Sequence, residues 1–487
     1  MNNENLFGDF PSATAEQWKE LIKKELKGKE FESIVWTTFD KLEFNPFYTQ
    51  EDLEKLENKE AIPGHYPYVR GNRTNGNNWE IRQDIKVSDP KKANQTALEI
   101  LNKGITSLGF ITDSPELTAL LKDILIEHIS VNFINNSSSL EILNNFIKEV
   151  KKREIQPGII KGSVNFDFLG EILLTGNNRQ ITEGFNKAGE IVQVLTKENL
   201  SLFRGINING NVYHNAGASI VQELAFSLAH ANEYVAELTE RKYSVDEIAA
   251  SMQFTFSVGS SYLMEIAKLR AARMLWAKII QQYNPKHECS MATYIHCQTS
   301  EWNTSIADAH NNLLRATTET MSCAIGGANS ITVIPFDNNY KESDNFSERI
   351  ARNIQIICAE EAHLNKISDP AGGSYYIEKL TDSIASAAWE LFKETESKGG
   401  FLECIKTEFI QNKIEETAKA KNEAIATGKM IMVGVNKYVN KQEKITDKAE
   451  FIKKEEEYFE NRDIKPLKKY RAALMPELEM IKQKTEL

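Results

Sequence analysis

Residues 252–283 read MQFTFSVGSSYLMEIAKLRAARMLWAKIIQQY, and this stretch decides the fold. Its first seven residues form a short apolar run that favours a strand. Residues 262–283 are a long run of strong helix formers, apolar on more than one face, which predicts a buried helix. A strand followed by a long helix is the repeating unit of an α/β fold with a parallel sheet.

The same unit recurs on both sides of this stretch. Short apolar or β-branched runs alternate with segments of helical periodicity or helical composition. Eight such units predict a (β/α)8 TIM barrel rather than a doubly wound open sheet. The predicted strands are 81–87, 104–111, 128–134, 162–167, 205–211, 252–258, 293–299 and 330–336.

The predicted barrel, residues 61–380, has a flank on each side. Residues 1–60 are predicted to form a polar arm. Its segment 13–27 predicts an amphipathic helix, and its segment 44–52, with three aromatic residues, predicts an extended arm segment. The arm packs on this chain or embraces another subunit, and the residues alone leave both open. Residues 381–487 are charged and predict a helical C-terminal extension.

Composition excludes several classes of protein. The formal net charge of −11 disfavours non-specific binding to nucleic acid or to anionic lipid. No apolar run approaches the roughly 20 residues that cross a bilayer, and the polar, acidic N-terminus lacks a secretory pattern. Five scattered cysteines without a Cys-x-x-Cys pair fit reduced thiols. We therefore expect a cytoplasmic protein.

Chemistry in such a barrel takes place at the C-terminal ends of the strands. Tyr213 and His214 follow the fifth predicted strand, and His296 and Gln298 lie within the seventh. A Tyr-His pair can supply a hydrogen-bonding acid, but the spacing favours a packed, hydrogen-bonded pair near a helix start. His296 and Cys297 point to opposite sides of a strand, so they cannot share one metal ion, and we expect no metal site.

Seven motifs, in this order and spacing, carry a specific family resemblance. Each motif is modest by itself. Together they resemble the methylmalonyl-CoA mutase family over nearly the whole length of the chain. The motifs are PG and RG (63–64, 70–71) with WEIRQ (79–83), AGA with ELA (216–218, 223–225), YLMEIAKLRAAR (262–273), HCQTS (296–300), FSERIARN (346–353), DPAGGSYY (369–376) and VGVNKY (433–438).

The resemblance implies a barrel threaded by coenzyme A and an isomerisation of methylmalonyl-CoA to succinyl-CoA by a radical route. Active family members add a flavodoxin-like domain whose Asp-x-His-x-x-Gly histidine ligates cobalt. This chain has no such motif: Asp308-Ala-His310 continues differently, and no histidine follows His363. The residues after Tyr438 are too few for a domain of roughly 100 residues. We expect no flavodoxin-like cobalamin domain and no cofactor bound by this chain.

Three further departures concern the family's catalytic and coenzyme A residues. The loop 72–78 (NRTNGNN) contains no tyrosine, where active members carry a tyrosine-rich loop. Aligned on AGA, Tyr213 and His214 stand two positions late, and Val212 takes the place of the catalytic histidine. Tyr294 replaces an arginine that binds coenzyme A. The resemblance therefore implies that this chain has no catalytic residue of its own.

Heterodimeric members of the family pair such an altered chain with a complete one. The leading interpretation is therefore a structural small subunit, whose large-subunit partner holds adenosylcobalamin and whose arm wraps that partner. One alternative is an active barrel that works with a separate cobalamin-binding protein. Another is a standalone acyl-CoA-binding or assembly protein. The pocket around Tyr213, His214, His296 and Gln298 would then be a residual one.

Overall fold

The computed structural model describes residues 14–134, 138–177, 180–440, 442–443, 445–448, 450–451 and 463–485. Eight parallel strands form a closed barrel, in which the last strand pairs with the first and places Ser330 opposite Glu80. The predicted (β/α)8 barrel is confirmed. Two short arm strands, β1 (Trp36–Thr37) and β2 (Glu43–Phe44), precede β3 (Glu80–Lys86), β4 (Ser107–Ile111), β5 (Ser130–Ile134), β6 (Lys161–Phe166), β7 (Phe203–Asn209), β8 (Met252–Val258), β9 (Ile295–Thr299) and β10 (Ser330–Thr332).

Helices surround the barrel and extend beyond it. Two of the longest helices, Ile220–Glu240 and Tyr262–Gln282, bury most of their residues, as their apolar composition predicts. In the described part of the chain the helices are α1 (Ala15–Glu25), α2 (Gln50–Glu54), α3 (Pro90–Leu101), α4 (Ser139–Lys152), α5 (Phe168–Thr175), α6 (Ile181–Lys197), α7 (Asn211–Asn215), α8 (Ile220–Glu240), α9 (Val245–Ala250), α10 (Tyr262–Gln282), α11 (Asn311–Ile325), α12 (Asn345–Glu360), α13 (Tyr375–Ser397), α14 (Gly400–Lys406), α15 (Phe409–Ala426) and α16 (Leu474–Thr485).

Every predicted barrel strand overlaps an observed one, but some boundaries differ. The last strand was expected to continue to residue 336, and it ends at Thr332. Pro335 cannot donate to a strand ladder, and the N–H of Ile334 donates instead to Oγ1 of Thr299 at 2.9 Å. The fifth strand ends at Asn209, and Asn211 already begins α7.

The segment between β4 and β5 corrects the expectation of a helix after every strand. Residues 112–129 form turns rather than an α-helix. Pro115 lies at the start of the segment, and Asp123 has a φ of +60°, which a right-handed helix cannot contain. The segment still covers the barrel, because Leu120, Leu121 and Ile124 are buried.

The N-terminal arm lies partly on this chain and partly exposed. Phe44 is buried edge-on against Tyr376, and Tyr48 stacks on the same ring at 5.7 Å. The predicted helix is α1, and it buries none of its residues. Trp18 and Leu21, on its apolar stripe, are exposed. The predicted extended segment 44–52 instead forms β2 and the start of α2.

The C-terminal part continues the barrel's packing. The helix α13 crosses the predicted division between residues 380 and 381 without a break. Phe401 and Ile410, from the two helices that follow, join the main hydrophobic core. The division of the chain at 60 and 380 stays a prediction. Across the described residues, no helix is both long enough and apolar enough to span a bilayer.

Candidate functional site

His214 lies at the C-terminal end of the barrel in a buried polar network. Its Nε2 is 2.7 Å from Oγ of Ser300, and its Nδ1 is 3.6 Å from Oε2 of Glu223. Ser300 is held from the other side, because its N–H donates to Glu319 at 3.1 Å. Burial raises the pKa of Glu319 to about 8, although hydrogen bonds from Asn303 and Ser300 oppose the shift. Both hydrogen-bonding faces of His214 are therefore directed at fixed protein groups.

Behind His214 lies a buried ionic cluster. Lys268 Nζ contacts Glu223 Oε2 at 2.7 Å and Glu265 Oε2 at 2.6 Å. Burial alone would lower the pKa of Lys268, but the two carboxylates more than offset it and leave the pKa above its usual value. Nζ also donates to the carbonyl of Ser257. A fully paired buried cluster of this kind orients neighbouring groups and is not available to a substrate.

Tyr213 points away from His214. Its hydroxyl is 3.0 Å from Nδ1 of His230, whose Nε2 lies 2.9 Å from Oδ1 of Asp167, out of line for a hydrogen bond. Burial, followed by the charge of Asp167, raises the pKa of Tyr213 well above its usual value. The structure therefore does not bring Tyr213 and His214 together in one acid–base pair.

His296 and Gln298 face the barrel interior from β9. His296 Nδ1 is 3.1 Å from Oγ of Ser330, and burial together with Arg82 holds the pKa of His296 well below its usual value. Gln298 Oε1 accepts a hydrogen bond from Asn211 Nδ2 at 2.8 Å. Each of the two side chains has a partner inside the barrel.

The interior of this barrel is polar, which sequence reasoning missed. TIM barrels ordinarily fill the interior with branched apolar residues. Here the alternation in MQFTFSV puts Phe254 outside against Trp276 and Thr255 inside on Asn207. The interior side chains joined by hydrogen bonds are Ser107, Asn132, Ser163, Asn165, Asn207, Asn211, Gln253, Thr255, Ser257, His296, Gln298 and Ser330.

The N-terminal opening of the barrel is lined by large charged and aromatic side chains. Tyr294 donates to Glu80 Oε2 at 2.8 Å, and the guanidinium of Arg204 lies 5.6 Å from the centre of its ring. Further in, Arg82 Nε contacts Asp84 Oδ1 at 2.7 Å. These groups line the end of the barrel through which a threading ligand would pass.

The tyrosine-free loop 72–78 is held by the protein itself. Arg73 donates to Asn77 Oδ1 and to the carbonyl of Ala328, both at 3.1 Å. Asn77 donates to the carbonyls of Ala324 and Leu364. The loop thus packs at the N-terminal end of the barrel, with its side chains engaged by backbone groups.

His310 lies in the segment that most resembles the family's cobalt-ligand motif. Its side chain is exposed and stacks on Phe336, with the ring centres 5.2 Å apart. Within the residues that the structure describes, no three His, Cys, Asp or Glu side chains are grouped so that they could hold a metal ion.

Comparison with known proteins identifies the family of this chain. Residues 37–118 and 110–478 match the family model described as methylmalonyl-CoA mutase. The chain belongs to the methylmalonyl-CoA mutase family. It is 40% identical to the methylmalonyl-CoA mutase small subunit of Porphyromonas gingivalis over 99% of this chain and 78% of that protein.

Two other relatives carry no subunit designation in their names. The methylmalonyl-CoA mutase of Cereibacter sphaeroides is 34% identical over 86% of this chain, and the mitochondrial one of Homo sapiens is 32% identical over 94%. The chain spans 64% of the length of each of these two mutases. Family membership therefore leaves the catalytic or structural role of this chain to be argued from its site.

Proposed function

We propose that this chain is the small, non-catalytic subunit of a heterodimeric methylmalonyl-CoA mutase, the enzyme that converts methylmalonyl-CoA to succinyl-CoA. One observation carries the proposal: Tyr213 and His214 are each engaged by separate buried partners. A general acid must reach the proton it transfers within hydrogen-bond distance, and the Tyr213 hydroxyl and the His214 ring are directed at groups of this chain instead. The likeness to a small subunit over 99% of the chain supports the same role.

The side-chain contacts at the two ends of the barrel also support a structural role. The hydrogen bond from Asn211 to Gln298 joins β9 to the start of α7 across the C-terminal end. Arg204, Tyr294 and Glu80 line the opposite end. A thioester with a long pantetheine arm would have to displace these hydrogen bonds, and each buried polar group left unpaired would cost affinity.

In this proposal the large subunit holds adenosylcobalamin, which supplies the radical chemistry of the complex. This chain contributes no ligand to the cobalt and no reaction step. Its exposed arm residues Trp18, Leu21, Trp36 and Phe39 supply the surface that the large subunit covers. The five scattered cysteines without a Cys-x-x-Cys pair support a cytoplasmic protein. The net charge of −11 supports one that binds neither nucleic acid nor membrane.

Three assays with methylmalonyl-CoA and adenosylcobalamin test the proposal: this chain alone, the large subunit alone, and both together. We expect no turnover from this chain alone and full turnover from the pair, which should also co-elute in size-exclusion chromatography. Turnover by this chain alone would disprove the proposal. Turnover with a separate cobalamin-binding protein in place of the large subunit would support the split-enzyme alternative.

A variant of His214 tests the same point inside the complex. His214→Gln retains a hydrogen-bonding side chain but cannot transfer a proton. We expect kcat of the complex to stay within about twofold, with Glu301→Gln, a partly exposed neighbour, as the matched control. Loss of a general acid lowers rates by roughly 100-fold to 10,000-fold, so a fall of that size would mean that this barrel performs chemistry.

A further inference from the structure

Residues 463–478, named here the strap, run across the C-terminal end of the barrel. The strap is fastened by its own backbone to the segments that follow three of the strands, β6, β7 and β9. Its N–H groups donate to carbonyls on α5, on α7 and in the loop after β9: Ile464 to Gly176 at 3.1 Å, Leu467 to Leu173 at 2.8 Å, Tyr470 to Asn215 at 3.0 Å and Ala472 to Trp302 at 2.9 Å.

The strap is packed directly over the His214 network. The ring of Trp302 stands edge-on to His214 at 6.4 Å, and Tyr470 of the strap stands edge-on to Trp302 at 6.3 Å. Tyr470 fits there only because Gly217 has no side chain: a Cβ on Gly217 would lie 2.6 Å from the tyrosine hydroxyl oxygen. The strap therefore covers the mouth of the polar interior.

A buried carboxylate fastens the strap. Glu477 Oε1 accepts from the N–H groups of Ile306 at 2.6 Å and Ala307 at 2.8 Å, and Oε2 accepts from Arg471 at 2.9 Å. The side chains of Arg471 and Glu477 are 2% and 0% exposed. A buried carboxylate depends on such hydrogen bonds, so this contact is strong only while the strap is closed.

The apolar contacts of the strap divide it into two parts. Ile464 and Leu467 belong to the main hydrophobic core of the barrel. Ala472, Leu474 and Leu478 belong to two small satellite clusters that share no member with that core. Satellite clusters open at lower free energy than a main core, because less apolar surface is exposed.

We propose that residues 468–485 are a latch. It swings away from the barrel mouth about the anchored residues 463–467 and opens the polar interior without unfolding the barrel. The Arg471–Glu477 contact with the backbone of Ile306 and Ala307 sets how often it opens. The latch goes beyond the structural role proposed above, and it is measured on the isolated chain without partner or substrate.

Hydrogen exchange of the full chain tests the latch. We expect the amides of Tyr470, Ala472, Ile306 and Ala307 to exchange faster than those of β8 in the unsubstituted chain. Glu477→Gln should accelerate these four amides by a common factor of at least roughly tenfold and leave β8 unchanged. The matched control is Glu479→Gln, on the exposed side of α16, which should change none of them.

Two results of this exchange experiment would overturn the latch. One is that the four amides exchange at the rate of β8 in the unsubstituted chain, which would mean that they open only by global unfolding. The other is that Glu477→Gln accelerates Ile306 and Ala307 but leaves Tyr470 and Ala472 unchanged, which would mean that the strap stays closed.

Thiol labelling tests whether opening admits molecules to the interior. Thr332, at the end of β10, is buried and its hydroxyl lacks a hydrogen-bond partner among the described residues. Thr332→Cys, in a Cys289→Ser background that removes the exposed thiol, reports access by N-ethylmaleimide. We expect Glu477→Gln to raise the labelling rate by about tenfold and Glu479→Gln to leave it unchanged. Equal rates in all three backgrounds would contradict the gating role.

Discussion

Tyr213 and His214 are neighbours in sequence, yet they serve two separate networks. Both lie on α7, where successive residues are turned by about 100° around the helix axis. Tyr213 is thereby directed outward to His230, and His214 to Ser300. The two side chains therefore do not form an acid–base pair. Each makes a separate buried hydrogen-bonded contact that stabilises the fold.

Removing the Tyr213 hydroxyl should destabilise the chain. Tyr213→Phe leaves Nδ1 of buried His230 without its partner, at a cost of about 1–3 kcal/mol in the free energy of unfolding, measured in urea. Tyr243→Phe is the control, because the Tyr243 hydroxyl makes no hydrogen bond within the described residues, and a change below about 0.5 kcal/mol is expected. Equal costs for the two variants would assign the effect to ring packing.

A buried carboxyl pair should make stability depend on pH. Burial, and then the charge of Glu233, raises the pKa of Glu396 to about 7. Because this folded-state pKa lies above the unfolded value, the contribution of Glu396 to stability is highest in acid and falls as pH rises from about 4.5 through about 7. Glu396→Gln should therefore raise the melting temperature at pH 8 and have little effect at pH 5. A pH-independent difference would contradict this assignment.

At the scale of single elements, β4 shows how tightly the interior is filled. Gly109 faces the Arg82–Asp84 ion pair, and a Cβ there would lie 1.9 Å from Asp84 Oδ1. The side chains at β3 thus take the space that a larger residue on β4 would need. The polar interior is therefore close-packed along this part of the barrel.

Gly109→Ala should destabilise the barrel by about 1–3 kcal/mol, because the added methyl group forces the ion pair apart. Gly158→Ala is a suitable control, since the nearest atom to its Cβ would be 3.9 Å away. Denaturant unfolding of the two variants measures the difference. A cost for Gly109→Ala no larger than that for Gly158→Ala would show that β3 relaxes freely.

The eight strands could be predicted from sequence because each is a short apolar run with turn residues at its ends. The alternation of residues 252–258 also indicates a polar interior, because Gln253, Thr255 and Ser257 share one face of the strand. The strand prediction used only the apolar residues of this segment. The partners of Tyr213 and His214 could not be predicted. His230 lies 17 positions away on the next helix, and Ser300 lies 86 positions away after β9, so both contacts depend on the tertiary packing of segments that are separate in sequence.

At the scale of the whole molecule, the arm exposes large apolar side chains that are not part of the hydrophobic core. Trp36, Trp18 and Leu21 are 47%, 44% and 54% exposed. Exposed aromatic residues at this density mark an interaction surface, and Trp is the residue type that most often dominates binding free energy. The arm is therefore the part of the chain that we expect to decide assembly.

Leu21→Asp should weaken binding to the large subunit at least tenfold, because it places a charge in an apolar contact. It should leave the melting temperature of the isolated chain unchanged, since Leu21 is already exposed. Leu314→Asp, which alters an exposed leucine on α11, is the matched control and should bind normally. Calorimetric titration measures both, and equal affinities would exclude the arm from the interface.

The polar barrel interior also determines how the chain responds to temperature. Unfolding hydrates apolar groups, which raises the heat capacity, and polar groups, which lowers it. Unfolding of other TIM barrels exposes branched apolar side chains of the interior to water. Unfolding of this barrel exposes asparagine, serine and glutamine side chains instead, such as Asn132, Ser163 and Gln253. Its heat-capacity change per residue should therefore fall below the usual value, and its stability curve should be unusually flat between cold and heat.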